Sequence, residues 1–139
     1  MSKVVTFNRT GGPEVLEVVD VQVPAPSANE VQIRVKAIGL NRAEIMYRNG
    51  QYVIEPVFPA RLGYEAAGTV EAVGENVKDF AKGDPVSVIP SFMFNEYGMY
   101  GEIVNAPVHA VVKHPENLSF EQAAASWMMY VTAFGALVE

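Results

Sequence analysis

The run Val31-Gln32-Ile33-Arg34-Val35-Lys36 constrains the fold most, because apolar and polar residues alternate strictly within it. That period of two marks a strand with one buried and one wet face. The spacing predicts a strand over 30–40 (EVQIRVKAIGL), preceded by KVVTF at 3–7 and LEVVDVQV at 16–23. Further strand-like runs follow at 64–77, where Gly68 and Gly74 interrupt YEAAGTVEAVGENV, and at GDPVSVI (83–89), YGEIVN (100–105) and HAVVKH (109–114). Glycines placed so mark bulges, tight bends and turns. Many short strands separated by turns, with no internal repeat, predict a mainly β barrel or sandwich.

Two segments change period. In NRAEIMYRN, Asn41 can cap a short helix, Glu44 can complete a capping box three residues on, and Gly50 can end it. From Ser119, the pattern SFEQ repeats the capping-box signal, and Ala123, Ala124, Trp127, Met128 and Val131 fall at helical spacing. Trp127, Met128 and Val131 are expected to be core residues of an interdomain helix. The chain thus divides into a β domain, 1–118, and a helical segment, 119–139, whose apolar end ALVE carries no stop signal. A continuation into a second domain is expected.

Length and composition bound the rest. With 139 residues, half of them hydrophobic, one domain with a real core is the default. A net charge of -6 without a Lys/Arg run argues against nucleic acid. The absence of cysteine excludes disulfides, thiolate zinc sites and cysteine nucleophiles. No membrane span and no signal sequence are legible, so a cytoplasmic location is expected.

GLNRAEIMYRNGQY, LGYEAAGTVEAVGENVKDFAKGDPVSV and EQAAASWMMYVTAFGALVE resemble the medium-chain dehydrogenase/reductase superfamily, most nearly its quinone oxidoreductase-like branch. The likeness runs from KVVTFNRTGGPEVLEVVD to the last residue. It implies a GroES-like, partly open β-barrel with short helices, followed by a Rossmann domain that binds NADPH or NADH, with the active site in the cleft between. No glycine-rich dinucleotide fingerprint lies between a strand and a helix here, so the cofactor would be held mainly by that second domain. The resemblance also implies a homodimer for the full-length protein.

The zinc branch of the superfamily uses a cysteine where this chain has Asn41, and a Gly-His-Glu motif where it has Gly63-Tyr64-Glu65. Tetrahedral zinc finds no soft ligand there. His109 and His114 lack the spacing of a site and are read as structural or solvated. A metal-free reductase suits a substrate that accepts hydride through its own conjugation: a quinone, enal, enone or enoyl thioester. The resulting anion then needs hydrogen-bond donors.

By resemblance, Asn41 donates its amide to substrate oxygen or to the nicotinamide ribose. Helix capping would use its side-chain oxygen and leave the NH2 free. Tyr52 matches a cleft tyrosine that donates a proton in related enoyl thioester reductases, against a plain packing role. Met46 and Tyr47 are expected at the substrate pocket. Met46 stands where the branch carries a tyrosine, which favours a more apolar substrate, and Tyr47 is turned by ~100° from that position. Thr132 would bond the nicotinamide carboxamide, or else its own helix backbone. Tyr130 is placed near the same cofactor cleft. Glu65 and Glu44 are expected to make structural hydrogen bonds.

The implied activity is hydride transfer from NAD(P)H to an electron-poor small molecule. A zinc-type alcohol dehydrogenase is one alternative, and a non-enzymatic GroES-like structural or interaction domain is the other. Asn41, Tyr52 and Thr132 discriminate, since a purely structural barrel has no need of cleft donors.

Overall fold

The computed structural model describes residues 1–138. Eight strands and three helices occur in the order β1 (Ser2–Phe7), β2 (Leu16–Val21), β3 (Glu30–Ile38), α1 (Arg42–Arg48), β4 (Ala60–Arg61), β5 (Ala66–Val73), β6 (Pro85–Val88), β7 (Ile103–Pro107), β8 (Val111–Lys113), α2 (Phe120–Ala124) and α3 (Trp127–Val138). Short 3-10 turns at Pro13–Val15 and Val108–Ala110 lead into β2 and β8.

The alternating segment is the centre of the larger sheet, ordered β7-β3-β5-β6-β8. Val31 and Ile33 point into the core, fully buried, while Arg34 and Lys36 face water. Val31 lies opposite Val73 of β5 on one side and Ala106 of β7 on the other. The pairing with β5 shifts register twice, between Gln32 and Ile33 and between Val35 and Ala37. Such bulges add twist and bend a sheet toward closure.

The second sheet, β2-β1-β4, meets the first along β1. Val5 N–H donates to Tyr100 O and Glu102 N–H to Lys3 O, each at 2.9 Å, around a single bridge between Val4 and Gly101. The two sheets are not closed into one continuous ladder, so the barrel is partly open.

The strands end earlier than the apolar runs suggest. The third stops at Ile38 rather than residue 40, the second at Val21, and the run over 64–77 is ordered as a strand only at Ala66–Val73. Residues 109–110 of the last run belong to a 3-10 turn. The two-residue β4 was not legible, being too short to show a period.

The helical segment is also broken. Ser119 caps α2 in a capping box with Gln122, as expected, but the helix stops at Ala125 and α3 begins at Trp127. α2 lies on the large sheet through Ala123 and Ala124, packed against Ala67 with Ala37 and Phe120 at the margin. Only the first turn of α3 reaches the core. Met128 packs against it, and Trp127 is half-buried, with Nε1 donating to Ser87 Oγ at 2.9 Å. Val131 is 47% exposed, and nothing among the described residues covers its face of α3 beyond the first turn, so the packing expected of it in an interdomain helix has no partner within them. No helix of the described residues is long and apolar enough to cross a membrane.

Candidate active site

Five segments converge where α1, the loop after it, the residues leading into β5, the loop over 90–96 and the first turn of α3 meet. Asn41 caps α1 in the reciprocal arrangement with Glu44, whose Oε2 accepts the Asn41 backbone N–H at 2.8 Å. Gly50, at φ 71°, takes the left-handed conformation that ends the helix and turns the chain toward Tyr52.

Glu44 is buried and satisfied by a second donor, the backbone N–H of Tyr64 at 3.2 Å. Burial nonetheless pushes its carboxyl above the ordinary value of 4.5, against the lowering by those hydrogen bonds. A raised folded value means that the native chain holds this proton at a pH where the unfolded chain has released it. The stabilisation is therefore complete below the unfolded value and is lost as pH rises through the folded one. Urea titrations of the native chain against Glu44→Gln, from pH 4 upward, are expected to show a stability difference that grows in favour of the variant across this window.

Glu65 is 2% exposed and ties two elements together. Its Oε1 accepts from Asn41 Nδ2 at 2.9 Å and its Oε2 from the Met128 backbone N–H at 3.0 Å. The second bond satisfies one of the unpaired N–H groups at the start of α3. The structural role expected for Glu65 is thus present. The Asn41 amide, expected free, spends one N–H on Glu65 and keeps one.

Tyr52 and Tyr64 stand side by side, their hydroxyls 3.3 Å apart. They line a cavity of about 480 Å³ with Phe92, Met93, Glu96 and Met128. Behind them Phe94 is stacked between two rings, with centroids 3.8 Å from Tyr64 and 4.6 Å from Tyr47. Burial, then the bond to Tyr52, pushes the Tyr64 phenol up, so it keeps its proton throughout the neutral range.

The other candidates are dispersed. Tyr47 is 1% exposed, edge-on to Phe7 at 5.7 Å, so its ring fills the core instead of walling the cavity of Tyr52. Its i, i+4 spacing from Ala43 was the available signal. Met46 is half-buried on α1. Thr132 donates its hydroxyl back to Met128 O at 2.6 Å, one turn above the Glu65 tie, leaving its lone pairs to act as acceptors. Tyr130, 66% exposed, lies apart, on a separate cavity of about 720 Å³ bounded by Ser87, His114, Gln122 and Trp127.

Among the described residues no three His, Cys, Asp or Glu side chains gather as a metal site. His109 sits 3.3 Å from Ser91 O, and His114 is buried edge-on against Phe120. Sequence reasoning missed the segment 92–94, in which Phe92 and Met93 line the cavity and Phe94 backs it, and the pairing of Tyr64 with Tyr52. The density of aromatics in SFMFNEYGMY was the signal for the first; nothing local signals the second.

Residues 27–116 match the alcohol dehydrogenase GroES-like domain family. The human quinone oxidoreductase is 42% identical over 129 residues, covering 92% of this chain and 38% of its own. Among solved structures, quinone oxidoreductase from Pseudomonas syringae pv. tomato superposes with a TM-score of 0.87 at 41% identity, over 100% of this chain and 41% of that one. The Escherichia coli quinone oxidoreductase in complex with NADPH gives a TM-score of 0.85 at 35% identity, over 99% and 40%. The chain spans about two fifths of the length of these relatives. With its open barrel and its likeness to these enzymes, the chain belongs to the alcohol dehydrogenase GroES-like domain family, in the quinone oxidoreductase-like branch of the medium-chain dehydrogenase/reductase superfamily.

Proposed function

We propose that this chain is the substrate side of an NAD(P)H-dependent reductase acting without metal on an electron-poor double bond of quinone, enone, enal or enoyl type. Residues 1–118 form the substrate domain, and 119–139 lead to a nucleotide-binding Rossmann domain of the same protein, which is expected to be a homodimer. The observation that carries this reading is the phenol pair, Tyr52 and Tyr64, in a cavity whose walls are mainly Phe92, Met93 and Met128, with Glu96 at its margin.

The chain's own groups suit one edge of a nicotinamide. Asn41 retains one amide N–H, and the Thr132 oxygen can accept from a carboxamide NH2 while its proton stays on Met128 O. Bound there, the cofactor supplies hydride. Tyr52 acts on the substrate: as negative charge develops on the conjugated oxygen, its phenol donates a hydrogen bond and then the proton. The aromatic and thioether walls favour a flat, conjugated molecule. Met46 adds an apolar surface on α1.

The test is NAD(P)H oxidation by the chain joined to its nucleotide-binding domain, with benzoquinone and cinnamaldehyde, in the presence and absence of a strong chelator. Tyr52→Phe is expected to lower kcat by at least about 10²-fold, the lower end for general acid catalysis, with turnover insensitive to the chelator. Full activity in the variant would remove Tyr52 from the chemistry; chelator-sensitive turnover would favour the zinc-type alternative.

A further inference from the structure

Tyr64 occupies the motif position at which the zinc branch carries its histidine, and nothing in the mechanism above uses it. It is 4% exposed, with its ring stacked on Phe94 and its backbone N–H held by Glu44, so its hydroxyl is fixed from two sides. A buried hydroxyl has one proton to place and is costly to leave unpaired. The hydroxyl meets two groups, Tyr52 Oη at 3.3 Å and the Met93 sulfur at 3.7 Å. A thioether is the weaker acceptor of the two. The proton therefore belongs on the Tyr52 oxygen.

We propose that Tyr64 is a positioning residue for Tyr52: its hydroxyl donates to the Tyr52 oxygen and leaves the Tyr52 O–H free for the carbonyl oxygen of a flat, conjugated substrate in the 480 Å³ cavity. This rests on Tyr52 being the proton donor. An oxygen that accepts one hydrogen bond is polarised into a stronger donor of its own, so the pair acts in sequence. The direction also fits the burial order, since Tyr64 is the enclosed member and Tyr52 the half-buried one. The 3.3 Å separation is long for a phenol pair and is of the kind that tightens when a substrate oxygen engages the outer hydroxyl. In the transfer itself two electrons and a proton arrive with the hydride of NAD(P)H, the cofactor is oxidised, and the displaced π pair settles on the substrate oxygen. The Tyr52 proton then neutralises that oxygen, and the phenolate it leaves is stabilised by the Tyr64 hydroxyl until solvent returns a proton.

Two measurements test this. The first labels the tyrosine ζ carbons with carbon-13 in the 139-residue chain and reads Tyr52 in the native protein and in Tyr64→Phe. The variant keeps the ring and removes only the hydroxyl, so the Tyr52 resonance is expected to move while those of Tyr97 and Tyr130 hold still. The second follows turnover of benzoquinone and cinnamaldehyde in the protein carrying its nucleotide-binding domain. Tyr64→Phe is expected to lower kcat about tenfold, the worth of one net hydrogen bond, with KM unchanged and a larger solvent isotope effect. A variant merely loosened in structure would lose ring resonances at large and raise KM. An unmoved Tyr52 signal, or kcat within twofold of native while Tyr52→Phe is dead, overturns the positioning role. A moved signal together with a fully active Tyr52→Phe would instead sink the donor reading of Tyr52 and leave the phenol pair standing.

Discussion

Gly68→Val is expected to cost about 3 kcal/mol or more, the upper range for overpacking against groups that cannot yield, read as a fall in the urea midpoint. Gly68 lies in the middle of β5 opposite Val35, immediately beside the point where β3 slips register before Ala37. The bulge brings the β3 backbone across β5. A Cβ at residue 68 would overlap the Arg34 carbonyl oxygen and stand 2.9 Å from both its carbon and Val35 Cα. All three are backbone atoms of the central strand pair, so no rotamer change relieves the contact. Val suits strands by propensity, which makes the prediction a test of close approach against intrinsic preference. The control is Gly135→Ala on exposed α3, where an added Cβ meets nothing within 4 Å. That change is expected to stabilise the helix by about 0.5–1 kcal/mol. Urea denaturation of both variants checks the pair, and a near-native Gly68→Val would mean that β3 and β5 do not meet in this register.

Much of this architecture is legible in the chain because the responsible forces act locally. Val31 and Ile33 alternate with polar neighbours, and a period of two leaves the strand only one way to face the core. Asn41 with Glu44, and Ser119 with Gln122, announce two helix starts because a capping box is complete within four residues. Strand ends are less visible. Gly39 and Leu40 continue the apolar run of β3, yet pairing stops at Ile38, and the Gly39 N–H turns to Glu65 O instead. Where a ladder ends depends on its partners, which sequence spacing does not contain.

The site divides in the same way. Asn41 and Tyr52 were singled out by resemblance, and the fold brings both beside Glu65, Met128 and Tyr64. Tyr47 is expected at the substrate pocket as the neighbour of a motif position, whereas its helical face follows Ala43 one turn earlier and turns the ring onto Phe7 and Phe94. Resemblance places Tyr130 near the same cofactor cleft as Thr132. Two residues along a helix rotate ~200°, which separates their side chains across it. The Tyr52–Tyr64 contact joins an irregular loop to the residue two before a strand, and no periodic signal reports such a meeting.

Glu65→Leu is expected to cost about 2–4 kcal/mol, because it strands two half-buried donors at about 1–2 kcal/mol each, the lower part of the range for an unpaired buried donor. The carboxylate now serves the Asn41 amide and the Met128 N–H together, and leucine, of similar bulk, serves neither. Glu65→Gln separates shape from chemistry. Its oxygen can stay on the Met128 N–H, and its NH2 can face Asn41 only if that amide turns its own oxygen inward and gives up its cap on α1, so a loss nearer 1 kcal/mol is expected. The consequence for the cleft follows from which ties are cut. Without Glu65 the start of α3 loses its side-chain partner, and Thr132, bonded to Met128 O, moves with that turn. Asn41 loses the contact that orients its remaining N–H. Hydrogen exchange should therefore quicken first in α3, at Met128 and the residues after it, before the sheet responds. If exchange in α3 is unchanged in Glu65→Leu, the helix is held by its own packing and Glu65 does not set the position of the cleft donors.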